Sequence, residues 1–319
     1  MTPSQQAAID IAWQSTLSDA YAQKHQRGLG ATLTKVTPIV EREAQRATLA
    51  ALPAKVDLRP ACPPVYNQGP FRTCTGFAVA KGLGEYLLRR RGDTTPLSAN
   101  HLYASGILAP STAQFRRSGS TGYAEFGQFT DTGVAIAAAM AAFEMGGAVA
   151  EPDFPYPPQN LWQSYWRSSI RSSASVVDPQ ADRGLEPFFL VGPVAHDEGA
   201  IRYRNTATAL RIRRAARLGS LDAMRASLAK GMPIVCAFSV HESFYSEAVK
   251  ATGNVPLPGP GDRLIDGHAM LCVGYDDQRR VLIFRNSWGQ DWGDRGYGYV
   301  PYEAIARQML RDCWTVEQE

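Results

Sequence analysis

The chain has 319 residues, of which 45% are hydrophobic and 20% charged, a composition typical of a globular protein with a sizeable core. Its formal net charge is only +3 and it has no run of about 18 apolar residues, so we expect neither a nucleic-acid partner nor a membrane span. The first 22 residues lack the apolar block of a secretory signal. We therefore expect a protein made in the cytoplasm, with export only by a non-classical route.

Residues 1–55 form a predicted N-terminal helical extension. Helical spacing of apolar residues extends over 5–26 and 39–52, and Arg27-Gly28-Leu29-Gly30 breaks the pattern between them. Three roles are open for this extension: a propeptide that covers a cleft, a permanent pair of helices, or a docking arm for a partner. We favour a permanent structural or docking segment.

The rest of the chain divides into a helical half and a strand-rich half. This segregation predicts an α+β fold of two unlike lobes, with a functional cleft between them. We place the helical lobe at 56–160 and the β-rich lobe at 161–319. The patterns predict helices over 74–91, 134–144 and 220–230, and strands over 234–240, 269–275 and 281–285.

The five cysteines are too few and too irregularly spaced for a disulfide framework or a zinc motif. Cys236 and Cys272 lie in apolar strand-like runs and are predicted to be small buried hydrophobes. Cys74 instead begins a predicted helix directly after a turn. The helix dipole and the unpaired amides there stabilise a thiolate, so we expect a nucleophile that ionises near neutral pH.

A histidine and an asparagine complete a possible catalytic set. His268 opens a predicted strand after a loop rich in Pro and Gly, and Asn286 follows the next strand before a turn with two tryptophans. A nucleophile needs a base, and the base needs a third group that fixes its ring. The side-chain oxygen of Asn286 can supply that third group.

The motifs around these residues resemble those of papain and the cathepsins. The nucleophile motif matches the stretch from Asn67-Gln68-Gly69 to Cys74, and Gly267-His268-Ala269 resembles the family's histidine strand. The family's asparagine motif is similar to the stretch that opens with Asn286-Ser287-Trp288-Gly289. The resemblance covers about 56–316 and implies a divergent, bacterial-looking member. It implies an α+β papain-like two-lobed fold, with a helical left lobe and an antiparallel β-barrel-like right lobe.

The resemblance also implies a mechanism. The Cys74 thiolate would pair with His268, attack a peptide carbonyl and form an acyl-enzyme that water cleaves. Asn286 would orient the histidine. Gln68 would hold the oxyanion together with the backbone amide of Cys74.

Three further positions are expected at the substrate: Thr75, Gly267 and Trp288, with Trp288 also shielding the bond between the histidine and the asparagine. A peptide or protein is the implied substrate, and no cofactor or metal is implied.

Two departures from the family pattern alter the floor of the cleft. Phe71 stands where the family has a cysteine, and Thr75 stands where it has a tryptophan. The separation of Cys74 and His268 is also longer than the roughly 130–150 residues usual in this family. We assign the surplus to an insertion over 160–215, which borders the cleft and sets substrate choice or, alternatively, extends the core.

Other functions stay open on the sequence alone. The same scaffold suits an exopeptidase, a ligase, a protease specialised for one partner, or a non-catalytic binding module. We also consider Cys62 and Cys313 as neighbours in space, near enough for a disulfide in an oxidising compartment.

Overall fold

A computed structural model of the chain describes residues 20, 24–25, 27–31, 52–106, 133–156 and 208–318. In these ranges the longest helix, α1, begins with Cys74–Gly76, continues as the π-helical stretch Phe77–Gly84 and ends with Glu85–Arg90. The other helices are 99–106 (α2, to the end of the described range), Ile136–Met145 (α3), Leu221–Ala229 (α4), Glu247–Thr252 (α5) and Glu303–Ala306 (α6). Short 3-10 turns lie at Arg59–Ala61, Glu151–Asp153 and Glu242–Tyr245.

A large antiparallel sheet lies against α1. Within the described ranges it has seven strands in the order β2-β7-β3-β4-β5-β6, with β1 paired to β4. The strands are Lys55–Asp57 (β1), Arg214–Leu218 (β2), Ile234–His241 (β3), Leu264–Asp276 (β4), Val281–Arg285 (β5), Tyr297–Pro301 (β6) and Leu310–Gln318 (β7). The predicted α+β class, with a helical part and an antiparallel β-rich part, is confirmed.

The central strand β4 joins two hydrophobic clusters. Ala269, Leu271 and Val273 pack with buried residues of α1, whereas Met270 and Cys272 pack into the cluster on the other side of the sheet. Successive side chains of a strand point to opposite faces, so an apolar run buries both faces of β4. This double burial fixes the strand that carries the predicted histidine.

The predicted elements agree closely with the observed ones. The helix predicted at 220–230 is α4, and the hydroxyl of its N-cap, Ser220, accepts a hydrogen bond from the Ala223 N–H at 3.2 Å. The helix predicted to end near Gly92 does so, and Gly92 has φ +78°, which favours glycine. The strand predicted at 281–285 is β5.

The chain does not divide between the lobes as simply as the predicted boundaries. Strand β1 precedes the cysteine helix in sequence, yet it pairs with the end of β4, with Val56 opposite Tyr275. The Tyr275 hydroxyl also donates to the Pro53 carbonyl at 2.6 Å. The first strand of the predicted helical lobe therefore belongs to the sheet.

The last residues of the predicted insertion at 160–215 pack in the core. Leu210 and Ile212 are buried in the core, and the Ala148 N–H donates to the Leu210 carbonyl at 2.7 Å. These residues lead directly into β2. The part of the insertion at 160–207, with its predicted role in substrate choice, lies outside the described residues, as do most of the two helices predicted in the N-terminal extension.

The predicted proximity of Cys62 and Cys313 is wrong. All five cysteines are described, and each is buried with a free thiol. Cys62 packs in the cluster beside α1, where its thiol donates to the Leu58 carbonyl at 3.4 Å. Cys313 lies on β7 in the other cluster, with Cys236 and Cys272. The two faces of the sheet keep Cys62 and Cys313 apart.

None of the helices in the described ranges is long and apolar enough to cross a bilayer.

Candidate active site

The start of α1 places Cys74 directly against the sheet. The thiol has no exposed surface, and its sulfur accepts a hydrogen bond from the Ala269 N–H at 3.4 Å. Ala269 follows His268 on β4, so the predicted nucleophile contacts the strand that carries the predicted base. They come together from positions almost 200 residues apart because β4 packs on the first turns of α1.

His268 and Asn286 are joined by a hydrogen bond of 2.8 Å between Nε2 and Oδ1. The same Oδ1 accepts the Ser287 N–H at 2.8 Å, which identifies this atom as the amide oxygen. The histidine nitrogen beside it must therefore be the protonated one. The neutral ring then presents the lone pair of Nδ1 as its base.

Burial keeps both reacting groups neutral in this arrangement. It raises the pKa of the Cys74 thiol to about 12 and lowers the pKa of His268 to about 4. Nδ1 of His268 is buried and has no hydrogen-bond partner among the described residues. The prediction that Cys74 ionises near neutral pH is therefore wrong for this closed arrangement, because desolvation outweighs the favourable helix start.

Gln68 lies beside these groups with its amide fixed at both ends. Ser287 Oγ donates to Oε1 at 2.5 Å, and Nε2 donates to the Phe71 carbonyl at 2.7 Å. The Gln68 N–H also donates to the Ser287 carbonyl at 2.8 Å. Ser287 therefore orients the Gln68 side chain so that its amide NH2 group faces the cleft.

Residues 27–31, which we call the cleft strap, lie across this site. The Gly28 carbonyl accepts hydrogen bonds from Gln68 Nε2 and Trp288 Nε1, each at 3.2 Å. The N–H groups of Gly30 and Ala31 donate to the Gly267 carbonyl at 2.9 and 3.1 Å. The strap therefore occupies the polar groups of both walls of the cleft.

The remaining strap contacts anchor its two ends. The Gly28 N–H donates to the Gly69 carbonyl at 2.9 Å, and the Gly30 carbonyl accepts from the Val134 N–H at 2.9 Å. Leu29 is completely buried in the cluster that contains Trp288. The Arg27 guanidinium lies 5.7 Å from the centroid of the same indole ring.

The two strap glycines fit because they have no side chain. A Cβ on Gly28 would lie 1.9 Å from the Phe71 carbonyl oxygen, and one on Gly30 would lie 2.2 Å from that of Arg72. Both obstacles are backbone atoms, which cannot turn aside as a flexible side chain does. Gly28 and Gly30, which the sequence pattern marked only as a break between helices, are the residues that allow this close contact.

Gly267, Thr75 and Trp288 occupy different positions around the cleft. Gly267 faces the strap through its carbonyl, and the Trp288 ring lies 4.8 Å from that of His268, centroid to centroid. Thr75 has no exposed surface, and its hydroxyl donates to the Val134 carbonyl at 3.0 Å. It therefore lies under the cleft floor, and its contact with substrate stays a prediction.

Sequence reasoning missed three functional features. The Arg72 and Asp266 side chains form an ion pair of 2.9 Å between the wall that carries Cys74 and the wall that carries His268. Ser287 orients Gln68, and Tyr156 contacts the loop that precedes Cys74. Ser287 lies in the motif that begins with Asn286, but only the fold reveals the partners of Ser287 and Tyr156.

The described ranges hold no group of three or more His, Cys, Asp or Glu side chains placed to bind an ion. The polar groups of the site are instead a thiol, an imidazole, two amides and backbone N–H groups, which suit acyl transfer.

The sequence profile of papain family cysteine proteases matches residues 52–313. The chain belongs to the papain family of cysteine proteases. Xylellain, a cysteine protease from Xylella fastidiosa, is 27% identical, with a TM-score of 0.64 over 92% of this chain and 97% of that one. Procathepsin B S9 from Trypanosoma congolense shares the fold, with a TM-score of 0.56 at 16% identity over 94% of this chain and 89% of its own.

Sequence relatives match over shorter stretches. An uncharacterized peptidase C1-like protein of Acanthamoeba polyphaga mimivirus is 37% identical over 99 residues, which are 31% of this chain and 32% of that protein. Cathepsin K of Mus musculus is 34% identical over 114 residues, 34% of this chain and 32% of its own length. The aligned stretches therefore span about a third of these relatives.

Proposed function

We propose that this papain-family protein hydrolyses peptide bonds through Cys74, and that its own cleft strap holds it inactive until the strap leaves. The observation that carries the proposal is the assembled set: Cys74 beside the histidine strand, His268 bonded to Asn286, and Gln68 oriented toward the cleft. A protein that kept this fold only for binding would not need to retain all four of these side chains.

The chemistry follows from the tautomer of His268. With Nε2 protonated and held by Asn286, Nδ1 accepts the thiol proton and the sulfur attacks the substrate carbonyl. Gln68 Nε2 and the Cys74 N–H stabilise the oxyanion. The imidazolium then protonates the leaving amine, and a water molecule deprotonated by Nδ1 cleaves the thioester.

The inhibitory role of the strap rests on three contacts. The Gly28 carbonyl accepts a hydrogen bond from the amide NH2 group of Gln68, which we assign to the oxyanion. The N–H groups of Gly30 and Ala31 donate to the Gly267 carbonyl, which we assign to an N–H of the substrate. Cys74 and His268 have no exposed surface. A peptide substrate and the strap therefore compete for the same groups.

This proposal chooses between the alternatives for the N-terminal extension. Residues 27–31 act as a covering segment, and the parts of 1–55 outside the strap remain candidates for binding a partner that pulls it away. The substrate is a peptide or protein, with no nucleic acid or membrane involved. We keep the cytoplasm as the proposed site of synthesis.

The test uses the full-length protein with Gly30→Ala, in which the new Cβ meets the Arg72 backbone. Gly219→Ala is the matched control, because a Cβ there has no neighbour within 4 Å. We expect Gly30→Ala to raise both the hydrolysis of a fluorogenic peptide and the labelling of Cys74 by iodoacetamide at least tenfold. Gly219→Ala should equal wild type.

Intact mass and a second substitution separate the two halves of the proposal. Cys74→Ala in the Gly30→Ala background should abolish hydrolysis and remove one iodoacetamide label. If the intact mass of the active Gly30→Ala protein shows an unshortened chain, the strap moves without being cut. Equal activity of Gly30→Ala and wild type would refute the inhibitory strap. Absence of hydrolysis in a fully labelled Gly30→Ala protein would refute the peptidase.

A further inference from the structure

We propose that Tyr156 is a positioning residue, whose hydroxyl holds both ends of the loop that supplies the oxyanion donors. We call residues 68–73 the oxyanion loop, because Gln68 begins it and the Cys74 N–H directly follows it. The inference rests on the proposed function and adds a residue to which the motifs of the sequence assign no role.

The hydroxyl of Tyr156 touches the first and the last residue of the oxyanion loop. It donates to the Gln68 carbonyl at 2.9 Å and lies 2.7 Å from Thr73 Oγ1. A hydroxyl has one proton, and a carbonyl can only accept. The Thr73 hydroxyl must therefore donate to Tyr156, which gives a chain of two hydrogen bonds with one direction.

The Thr73 hydroxyl makes no hydrogen bond to its own helix. Thr73 occupies the N-cap position of α1, where threonine normally accepts a hydrogen bond from an amide of the first turn. Its side chain makes no capping hydrogen bond. The contact of the hydroxyl with Tyr156 is therefore what this side chain contributes to the loop.

Tyr156 is itself held firmly enough to act as an anchor. Its ring packs edge-on against Phe77 at 4.9 Å between centroids, and its N–H donates to Glu151 Oε1 at 2.7 Å. Glu151 in turn pairs with the buried ammonium of Lys81 at 2.7 Å. Lys81 lies in α1, so the anchor is attached to the same helix as the nucleophile.

The consequence concerns only reactions that form an oxyanion. The donors act by lying ready where negative charge develops, and removal of one such donor typically lowers kcat by about 10²–10³. Without the Tyr156 hydroxyl, both ends of the loop lose a tie, although Gln68 keeps its bond to Ser287. We therefore expect a partial loss of about 5- to 50-fold in kcat.

The experiment compares two reactions of the same thiol in the full-length Gly30→Ala protein. Peptide hydrolysis needs the oxyanion donors, whereas alkylation by iodoacetamide displaces iodide and forms no oxyanion. Tyr156→Phe keeps the ring and removes the hydroxyl. We expect kcat for the peptide to fall about 5- to 50-fold with KM nearly constant, and the alkylation rate to stay within about twofold of the parent.

Further variants serve as controls. Tyr302→Phe removes a hydroxyl that donates to Asp277 at 2.7 Å, remote from the site, and should leave both rates unchanged. Thr73→Val should lower kcat in the same selective way, and Thr73→Ser should retain it. If Thr73 and Tyr156 act through one chain of hydrogen bonds, the double variant with Thr73→Val and Tyr156→Phe should lower kcat by less than the product of the two single effects.

The possible outcomes separate this inference from the proposed function. An equal loss of hydrolysis and alkylation would make Tyr156 a purely structural residue and overturn the inference, as would an unchanged kcat in both Tyr156→Phe and Thr73→Val. If Tyr156→Phe does not fold, the same comparison is made with Thr73→Val. A lower kcat with an unchanged alkylation rate supports the inference, and an equal loss of both overturns it. If the Gly30→Ala parent hydrolyses no peptide, the proposed function fails and this inference fails with it.

Discussion

The two walls of the cleft are built in different ways. His268 lies on β4, between the neighbours β3 and β5, and its position is fixed by backbone pairing such as that of His268 with Phe238. The opposite wall is a loop, whose Gln68 and Thr73 are held by the hydroxyls of Ser287 and Tyr156. The sheet thus holds the base by its backbone, whereas side-chain hydroxyls, together with the backbone bond from the Gln68 N–H to the Ser287 carbonyl, hold the oxyanion donors.

The difference shows where the site can be adjusted. Changing one side chain on a paired strand leaves the backbone ladder in place, whereas removing one hydroxyl releases a loop directly. We therefore expect substitutions at the base itself to be decisive, and substitutions around the loop to give graded losses. The kinetic predictions below test this contrast in the Gly30→Ala background, from the largest expected effect to the smallest, and a stability measurement on the wild-type protein tests the burial of the base.

His268→Ala should cause the largest loss. It removes the only group assigned to take the thiol proton, so we expect hydrolysis to fall by about 10⁶, to the level left by binding and the oxyanion donors. Alkylation of Cys74 at neutral pH should fall as well, because the thiol loses its base. Steady-state kinetics and mass spectrometry measure the two effects, and retained alkylation at the parent rate would contradict the assignment of the base.

Gln68→Ala should affect only one of those two reactions. It removes an oxyanion donor from the loop-held wall, and we expect kcat to fall by about 10²–10³. Alkylation should stay near the parent rate or increase, because the strap also loses its bond to Gln68 Nε2. A parallel loss of alkylation would mean that Gln68 supports the fold of the cleft instead.

The buried neutral His268 predicts a loss of stability in acid. Its pKa is lowered by burial to about 4, against 6.5 for the exposed group, so the unfolded chain takes up a proton first. The stabilisation is complete above pH 6.5 and is lost as the pH falls toward 4, by about 3 kcal/mol at most.

Denaturant unfolding of the wild-type protein and of His268→Gln between pH 7 and pH 4 measures this contribution. Relative to His268→Gln, the wild-type protein should lose about 3 kcal/mol of unfolding free energy between pH 7 and pH 4. This loss is expected whatever difference in stability the two proteins have at neutral pH. A constant difference would show that His268 is not neutral and buried in solution.

Asn286→Ala should have the smallest effect of this series. The residue orients His268 but exchanges no proton, so we expect turnover to fall roughly 10- to 100-fold, less than the full range of acid–base catalysis. The strands still place the ring, which is why measurable activity should remain. An unchanged turnover number would remove Asn286 from the mechanism.

Much of this architecture follows from local sequence. The Ser220 cap, the stop at Gly92 and the apolar run of β5 each satisfy a rule that involves only near neighbours, and each predicted element is present. The motifs that resemble those of papain and the cathepsins also implied the contact of His268 with Asn286, which the structure contains. Local rules failed where distant backbone decides, as for β1, which pairs with a strand about 220 residues further along the chain.

The sequence by itself determined the family and most helices and strands of the described ranges, and it predicted the four principal site residues, because short motifs and periodic patterns carry this information. Only the tertiary structure decided that the cleft is covered and the thiol neutral. No local pattern in Arg27–Gly30 indicates that this segment lies in a cleft. Its position depends on close packing of Gly28 and Gly30 against the backbone of Phe71 and Arg72, which are distant in sequence. Burial likewise raises the pKa of Cys74, and burial is a property of the whole packed molecule.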